Sequence, residues 1–302
     1  MTRWIHITSR TNRQVKQVVA LRQQRNRRKT GLFIAEGVRE ISRALDAGLS
    51  MDRLFVCPEL SEQSLSSIGP SMSGDHSMAP HAIDTRTPAN VQRFETGPEI
   101  FQKLTYRQKP EGILAVFQQR VWDIESLVGG TNLAPERGPD PADLWLVAVG
   151  ATKPGNVGAM ARAAAGAGAW GLLLADCVVD PFNPNAIRAS TGAVFNLPVA
   201  TGTTAQVLSM LTKRGAAMVA AVPEADQIYT QIDMTEPVAL LIGAEDSGLG
   251  PTWLKVAAPP QGHQVSIPLL GRGVDSLNAA TAAAVLLYEA VRQRTPLHSP
   301  SS

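Results

Sequence analysis

Three short segments of this chain set polar side chains into apolar surroundings. The first, GATKPGNVGAMAR (150–162), carries Asn156 and Arg162. The second, LLIGAEDSGLG (240–250), carries Glu245 and Asp246, and the third, VSIPLLGRGVDSLNAA (265–280), carries Ser276 and Asn278. A guanidinium, a carboxylate, a hydroxyl and two amides are suited to grip and orient an anionic or hydroxylic substrate. They are not a metal set, because no His or Cys cluster with ligand spacing accompanies them. His6, His76, His81 and His298 lie away from the three segments, and His263 only borders one. Neither a GxxxxGK[ST] phosphate loop nor a GxSxG nucleophile elbow is present.

Arg162 is the most pointed of these residues. The 22 residues from Pro154 to Ala175 hold no other charged side chain, and a strand-like LWLVAVG (144–150) precedes them. An uncharged Ala/Gly helix between apolar strands is expected inside an α/β core, where an unpaired guanidinium is costly unless something anionic meets it. Structural readings compete with this one. Glycines near a helix start often serve only the turn, Glu245 and Asp246 suit a solvated acidic turn, and Ser276 or Asn278 caps the helix that follows. Asn156 also suits an N-cap, and Glu245 is a candidate partner for Arg162.

The elements that must position these residues alternate. In the second half, strands are expected at 144–149, 170–175, 217–222, 237–242 and 264–267. Helices are expected at 156–168, 204–214 and 277–293. That rhythm predicts an α/β fold with a parallel sheet. Open parallel sheets bind ligands at the carboxyl ends of their strands, so the three turns are expected to converge. The first half reads as a smaller α/β domain. It has a basic helix over 12–30 ended by Gly31, strands at 32–37, 54–57 and 112–118, and helices at 38–48 and 99–105. Residues 61–82 read as a mobile loop. Residues 129–141, with three Gly and three Pro, read as a linker. The expected division is 1–120, a linker to 142, a second domain over 143–294 and a loose tail over 295–302.

The net charge of +2 conceals an asymmetry: residues 1–43 carry eleven Lys/Arg against two Asp/Glu, the remainder seventeen against twenty-four. A basic block on a mildly acidic body suggests a polyanion partner, with a solvated basic helix as the alternative. Arg10, Arg13, Lys16, Arg25, Arg27, Arg28 and Lys29 are the candidate phosphate contacts. Cys57 and Cys177 read as reduced, buried thiols. The N-terminus lacks a secretory apolar stretch, and no segment is apolar enough to span a membrane, so a cytoplasmic protein is expected.

NVGAMARAA, LLIGAEDSGL and SIPLLGRGVDSLNAATAAAVLLYEA, in this order, resemble the three motifs of the SpoU (TrmH-like) RNA ribose methyltransferases of the SPOUT class. ITSRTNRQVKQVVAL, GLFIAEGVREISRAL and LFV resemble that family's ribosomal-protein L30e-like substrate-binding domain. Within the family the chain is most similar to bacterial 23S rRNA 2′-O-methyltransferases, including those that confer resistance to antibiotics such as avilamycin. The resemblance implies a trefoil-knotted second domain, S-adenosylmethionine as cofactor and an obligate homodimer whose site uses both subunits. It implies no metal and no membrane, and 23S rRNA as substrate, with a tRNA ribose methyltransferase of the same family as the alternative. Asn156, Arg162, Glu245, Ser276 and Asn278 correspond to the polar site residues, and Val222, Gly243, Ile267 and Leu277 to positions lining the cofactor. Arg162, too basic to act as an ordinary base, is then expected to grip the phosphate beside the target ribose, oriented by Asn156 and Glu245. The segment from Ile267 to Leu277 is one residue longer than the family's usual spacing. This implies an altered cofactor loop, with Arg272 as an additional RNA contact. Two other readings stay open. One is an inactive RNA-binding assembly factor. The other is a nucleotide-dependent oxidoreductase using 150–176, although GATKPGNVG is not GxGxxG.

Overall fold

The computed structural model describes residues 4–61, 80–128, 143–271 and 273–295. The linker at 129–141, most of the loop at 61–82, the tail beyond 295 and Arg272 lie outside the described residues. Two compact units are present: Met1–Arg120 with Phe182–Phe195, and Val121–Pro181 with Asn196–Ser302.

The second unit carries the three motif turns. Its strands are β6 (Leu144–Val149), β7 (Gly171–Ala175), β8 (Val199–Gly202), β9 (Ala217–Ala221), β10 (Val238–Ile242) and β11 (Gly262–Val265). They form one sheet in the order β11-β9-β10-β6-β7-β8, with every pairing parallel. β7 and β10 are buried at every position, as strands covered on both faces must be. On one face Trp145, Val147, Leu173 and Leu241 share a core with Val207, Met210 and Leu211 of α8 (Thr204–Lys213) and Trp253 of α9 (Pro251–Val256). The alternate strand residues face the other side. There α6 (Pro154–Gly166) and α10 (Ala279–Arg294) pack on each other and on the sheet. Strand order reverses between β6 and β10, so the switch point falls among the motif turns.

Sequence periodicity missed β8 and α9. It also assigned 121–128 to the linker, whereas Trp122, Ile124 and Leu127 are buried in the core of this unit.

The first unit holds a mixed five-stranded sheet in the order β1-β4-β3-β5-β2. Its strands are β1 (Trp4–Ile7), β2 (Leu32–Glu36), β3 (Met51–Val56), β4 (Gln92–Thr96) and β5 (Ile113–Gln118). Only β2, β3 and β5 were expected. β4 was hidden by its sequence, QRFET. Arg93 is buried there because Asp84 pairs with its Nε at 2.6 Å and the Thr87 and Val91 carbonyls accept from its Nη atoms. The basic helix expected over 12–30 is two helices, α1 (Arg13–Ala20) and α2 (Gln24–Thr30). Asn12 caps the first, and Gly31, at φ +66°, ends the second in the left-handed conformation. Helices α3 (Val38–Asp46), α4 (Pro80–Arg86) and α5 (Pro98–Leu104) complete the local fold.

This unit also takes in α7 (Pro184–Ser190) and the turn after it. Phe182 and Phe195 pack on Phe33 of β2 with ring centroids 4.8 and 5.4 Å away. Arg43 Nη1 donates to the Thr191 hydroxyl at 2.7 Å.

Candidate functional site

A cleft of about 430 Å³ opens at the carboxyl ends of β9, β10 and β11. Val222 follows β9, Gly243 follows β10, Ile267 follows β11, and Leu277 precedes α10; all four line the cleft, with Glu245 and Ser276 at the same wall. Its other walls are mostly aliphatic: Ile242, Leu249, Leu254 and Val265. Three strand ends and one helix start therefore converge, as the parallel sheet demanded.

The turn after β10 is tightly folded. Gly248 sits at φ +64° and its N–H donates to the Ala244 carbonyl at 2.9 Å. A Cβ on Gly243 would stand 2.3 Å from the Gly248 carbonyl carbon and 2.6 Å from the Leu249 nitrogen. Only glycine fits there, because the obstruction is backbone rather than a movable side chain.

That turn projects Glu245 against two other segments. Asn278 Nδ2 donates to Glu245 Oε1 at 2.5 Å and lies 3.2 Å from Asn156 Oδ1. Asn278 Oδ1 meanwhile accepts from the Ala280 and Thr281 N–H groups, which makes Asn278 the N-cap of α10. Capping therefore accounts for Asn278 but not for Ser276, which faces the cleft. The other Glu245 oxygen accepts from Lys153 Nζ. The Lys153 ammonium, and then Asn156, hold the Glu245 carboxyl below the ordinary glutamate value. Asn156, Glu245, Ala151 and Ala279 also border a second, smaller hollow of about 90 Å³ beside the main cleft.

Three expectations are corrected here. Asn156 does not cap α6: the N-cap is Lys153, with Pro154 at the first helical position. Glu245 pairs with Lys153 rather than with Arg162. Arg162 is exposed, and its guanidinium makes no hydrogen bond or ion pair among the described residues. The helix buries Val157, Met160, Ala161 and Ala164 but turns Gly155, Arg162, Ala165 and Gly166 to solvent. Small apolar residues on an outward face look the same in sequence as small residues in a core, and that misplaced the guanidinium.

Lys153 was the functional candidate that sequence reading passed over. A cation at a helix N-terminus opposes the macrodipole. Its presence ahead of Pro154, with no capping hydrogen bond, is a signal that a carboxylate stands nearby.

In the first unit, Arg10, Arg13, Lys16, Arg25, Arg28 and Lys29 are exposed. Arg10 also pairs with Glu99 at 3.1 Å, both at the surface. Arg27 is corrected: it is 1% exposed, and its Nη1 donates to the Leu21 and Arg22 carbonyls at 2.7 and 2.8 Å. Those carbonyls belong to the C-cap of α1 and the residue after it, so Arg27 serves the fold rather than a phosphate. Cys57 and Cys177 are buried and unpaired, and burial raises each thiol to about 11, which makes both poor nucleophiles. Among the described residues, no His, Cys, Asp and Glu cluster could hold a metal, and no helix is long and apolar enough to cross a membrane.

Comparison with known proteins bears on both units. Residues 143–288 match the SpoU rRNA Methylase family, and residues 12–115 match the MRM3-like substrate binding domain. The chain is 31% identical to a 23S rRNA (uridine(2479)-2′-O)-methyltransferase of Streptomyces viridochromogenes, over 95% of this chain and 92% of that protein. It is also similar to a solved RNA 2′-O ribose methyltransferase, with 33% identity and a TM-score of 0.75, over 96% of this chain and 99% of the other. An AdoMet-bound rRNA methyltransferase of Sinorhizobium meliloti superposes with a TM-score of 0.77 at 28% identity, over 97% and 99% of the two chains.

Proposed function

The chain belongs to the SpoU rRNA methylase family, and from that premise we propose that it transfers a methyl group from S-adenosylmethionine to a ribose 2′-hydroxyl of 23S rRNA. The observation that carries this reading is the cleft of about 430 Å³ walled by Val222, Gly243, Ile267 and Leu277. Its size is that of a small-molecule site, its aliphatic walls suit an adenine ring, and the absent Cβ of Gly243 lets the Gly248–Leu249 backbone fold close against it and shape the turn that walls the cleft. Glu245 and Ser276 add polar groups for the amino-acid and ribose portions.

When bound, S-adenosylmethionine supplies an electrophilic methyl on a sulfonium whose departing thioether is neutral, so no protein acid is needed to expel it. The protein's task is to position the ribose hydroxyl and favour the charge that develops on it. Glu245 holds the Asn278 amide and the Lys153 ammonium in fixed directions. Asn156 and Ser276 complete the polar wall.

Arg162 works from a second copy in this proposal. Asn156, which precedes it by six residues within α6, lies about 120° away around the helix at about 100° per residue. The exposure of Arg162 on a face of small residues supports an α6–α10 face that meets its equivalent in a homodimer and brings each Arg162 to the partner's site. There the guanidinium grips the phosphate beside the target ribose. A trefoil knot in the second unit and a cytoplasmic location belong to the same proposal.

Calorimetric titration with S-adenosylmethionine should give saturable binding. Ribose-methylation mapping of total RNA should reveal one 23S rRNA position modified only in cells that carry the gene. Absence of both results would leave an RNA-binding protein without this activity.

A further inference from the structure

Tyr106 follows α5 in the first unit and stands out by its exposure. Among the described residues it is the one aromatic of that unit counted with the exposed large hydrophobics, at 38%. A ring more than a third exposed forgoes part of the free energy of burial, yet this ring is rigidly fixed. Its backbone N–H donates to Glu36 Oε2 at 2.9 Å, and its hydroxyl donates to the Arg22 carbonyl at 3.2 Å. The Arg22 guanidinium lies over the ring, 5.0 Å from its centroid. That guanidinium is in turn held by the Lys103 and Thr105 carbonyls at 2.8 and 2.6 Å.

Tyr106 also borders a small hollow whose wall includes Pro184, Asn185 and Arg188. Its volume of about 20 Å³ admits a water rather than a base, so a planar ligand must lie over the ring, not inside the hollow. Arg107, at the same hollow, is committed to Glu40 and Glu111. Arg188 is exposed and donates to Asn185 Oδ1 at 3.3 Å. The surface thus offers a fixed, partly exposed ring backed by one guanidinium, with a second guanidinium and an amide lining the hollow that the ring borders.

We propose that Tyr106 is a stacking platform for an unpaired RNA base, with Arg188 meeting the adjoining phosphate and Asn185 the base edge. This rests on the methyltransferase reading and narrows its substrate class to RNA with a single-stranded loop or bulge. Bases inside a duplex present no free face, whereas unpaired bases stack on aromatic and guanidinium planes. A ring immobilised before binding loses little further entropy when a base settles on it.

The test uses the full-length protein and two RNA probes, both carrying 2-aminopurine. One is a hairpin with the fluorophore in its loop, the other the same strand in a full duplex. Wild-type protein should bind the hairpin more tightly and quench its fluorescence. Tyr106→Ala and Tyr106→Leu should each weaken hairpin binding about tenfold, the scale of one lost base stack, and leave duplex binding unchanged. Tyr106→Phe and Tyr106→Trp should retain tight binding and quenching. Equal affinity of Tyr106→Ala and wild type for the hairpin would overturn the proposal, as would equal losses on hairpin and duplex. A Tyr106→Phe loss as large as that of Tyr106→Leu would also overturn it, because it would assign the effect to the hydroxyl tether. Failure of the parent reading registers separately, as protein that binds the hairpin but neither binds S-adenosylmethionine nor methylates RNA.

Discussion

Lys153 and Glu245 form an ion pair that ties the loop before α6 to the turn after β10. Through its other oxygen Glu245 accepts from Asn278, the cap of α10. One carboxylate therefore fixes the three motif segments relative to one another. Glu245→Gln should lower methyl transfer by about tenfold to a hundredfold, the effect of small misplacements at a reacting centre. Lys153→Met should give part of that loss and Lys153→Arg should recover it. If Lys153 acts through Glu245, the double variant will be no slower than Glu245→Gln alone. Additive losses would assign Lys153 an independent contact with RNA.

The same pair sets a pH dependence. Lys153, and then Asn156, lower the Glu245 pKa, so the carboxylate persists below the ordinary value near ~4.3. The groups around it are Lys153 before α6, Asp246 on its own turn and Glu224 at the cleft wall, while the first turn of α10 contributes no charge. A depressed carboxyl pKa gives an interaction that is complete above the unfolded value and lost as pH falls through the folded one. Removing Lys153 raises that folded value. The acid limb of the kcat/KM profile should therefore move to higher pH in Lys153→Met. An unmoved limb would show that Glu245 ionisation does not govern turnover.

Arg162→Ala should leave folding and S-adenosylmethionine binding intact, because the side chain is exposed and alanine is the best helix former. Methyl transfer should drop by ~10²-fold or more, as when one preorganised charge contact is removed. A site shared across a homodimer adds a sharper expectation. Mixing the impaired Arg162→Ala and Glu245→Gln subunits should raise activity above that of either variant alone, since each mixed dimer has one intact site. No recovery on mixing, after subunit exchange is verified, would confine Arg162 to its own chain.

Much of the site was legible because parallel-sheet physics leaves few choices. Apolar strands followed by turns had to meet at one sheet edge, and the chain after β9, β10 and β11 does line one cleft. The particular positions Val222, Gly243, Ile267 and Leu277 were legible only through the resemblance to the family's motifs. What sequence could not supply was the direction of a helix face made of small residues. α6 reads as uniformly buried, yet its Gly155–Arg162–Gly166 side faces outward. Arg27 and Arg93 were illegible for the opposite reason, because guanidinium groups enter the interior when backbone carbonyls receive them. Likewise, local pattern gives no hint that Phe182 and Phe195 pack on Phe33, far away in sequence.

Gly243→Ala tests the close approach at the cleft floor. The new methyl would meet the Gly248 carbonyl carbon at 2.3 Å and its oxygen at 2.5 Å, so the turn that carries Glu245 must shift. S-adenosylmethionine affinity should fall at least about tenfold, the loss expected when a few well-placed contacts worth about 1.4 kcal/mol are removed. Because the clash is confined to a surface turn, circular dichroism should remain that of the wild type. Undiminished cofactor affinity would mean that the turn is loose enough to accept a side chain and does not shape the site.

The basic block should separate into two behaviours. Arg25, Arg28 and Lys29 are exposed along α2. Neutralising all three should flatten the logarithmic salt dependence of RNA binding by about 2–3 units, at 0.7–0.9 per phosphate contact, with little change in Tm. Arg27 carries the same charge on the same helix but is 1% exposed and bonded to the carbonyls that end α1. Arg27→Ala leaves the buried Leu21 carbonyl without its donor, while the Arg22 carbonyl keeps the Tyr106 hydroxyl, at a cost of about 1–3 kcal/mol. It should lower Tm and leave the salt slope of the folded protein unchanged. A reversed pattern, with Arg27→Ala altering the slope and the triple variant altering Tm, would place the phosphates on the other side of α2 and require Arg27 to leave its carbonyls when RNA binds.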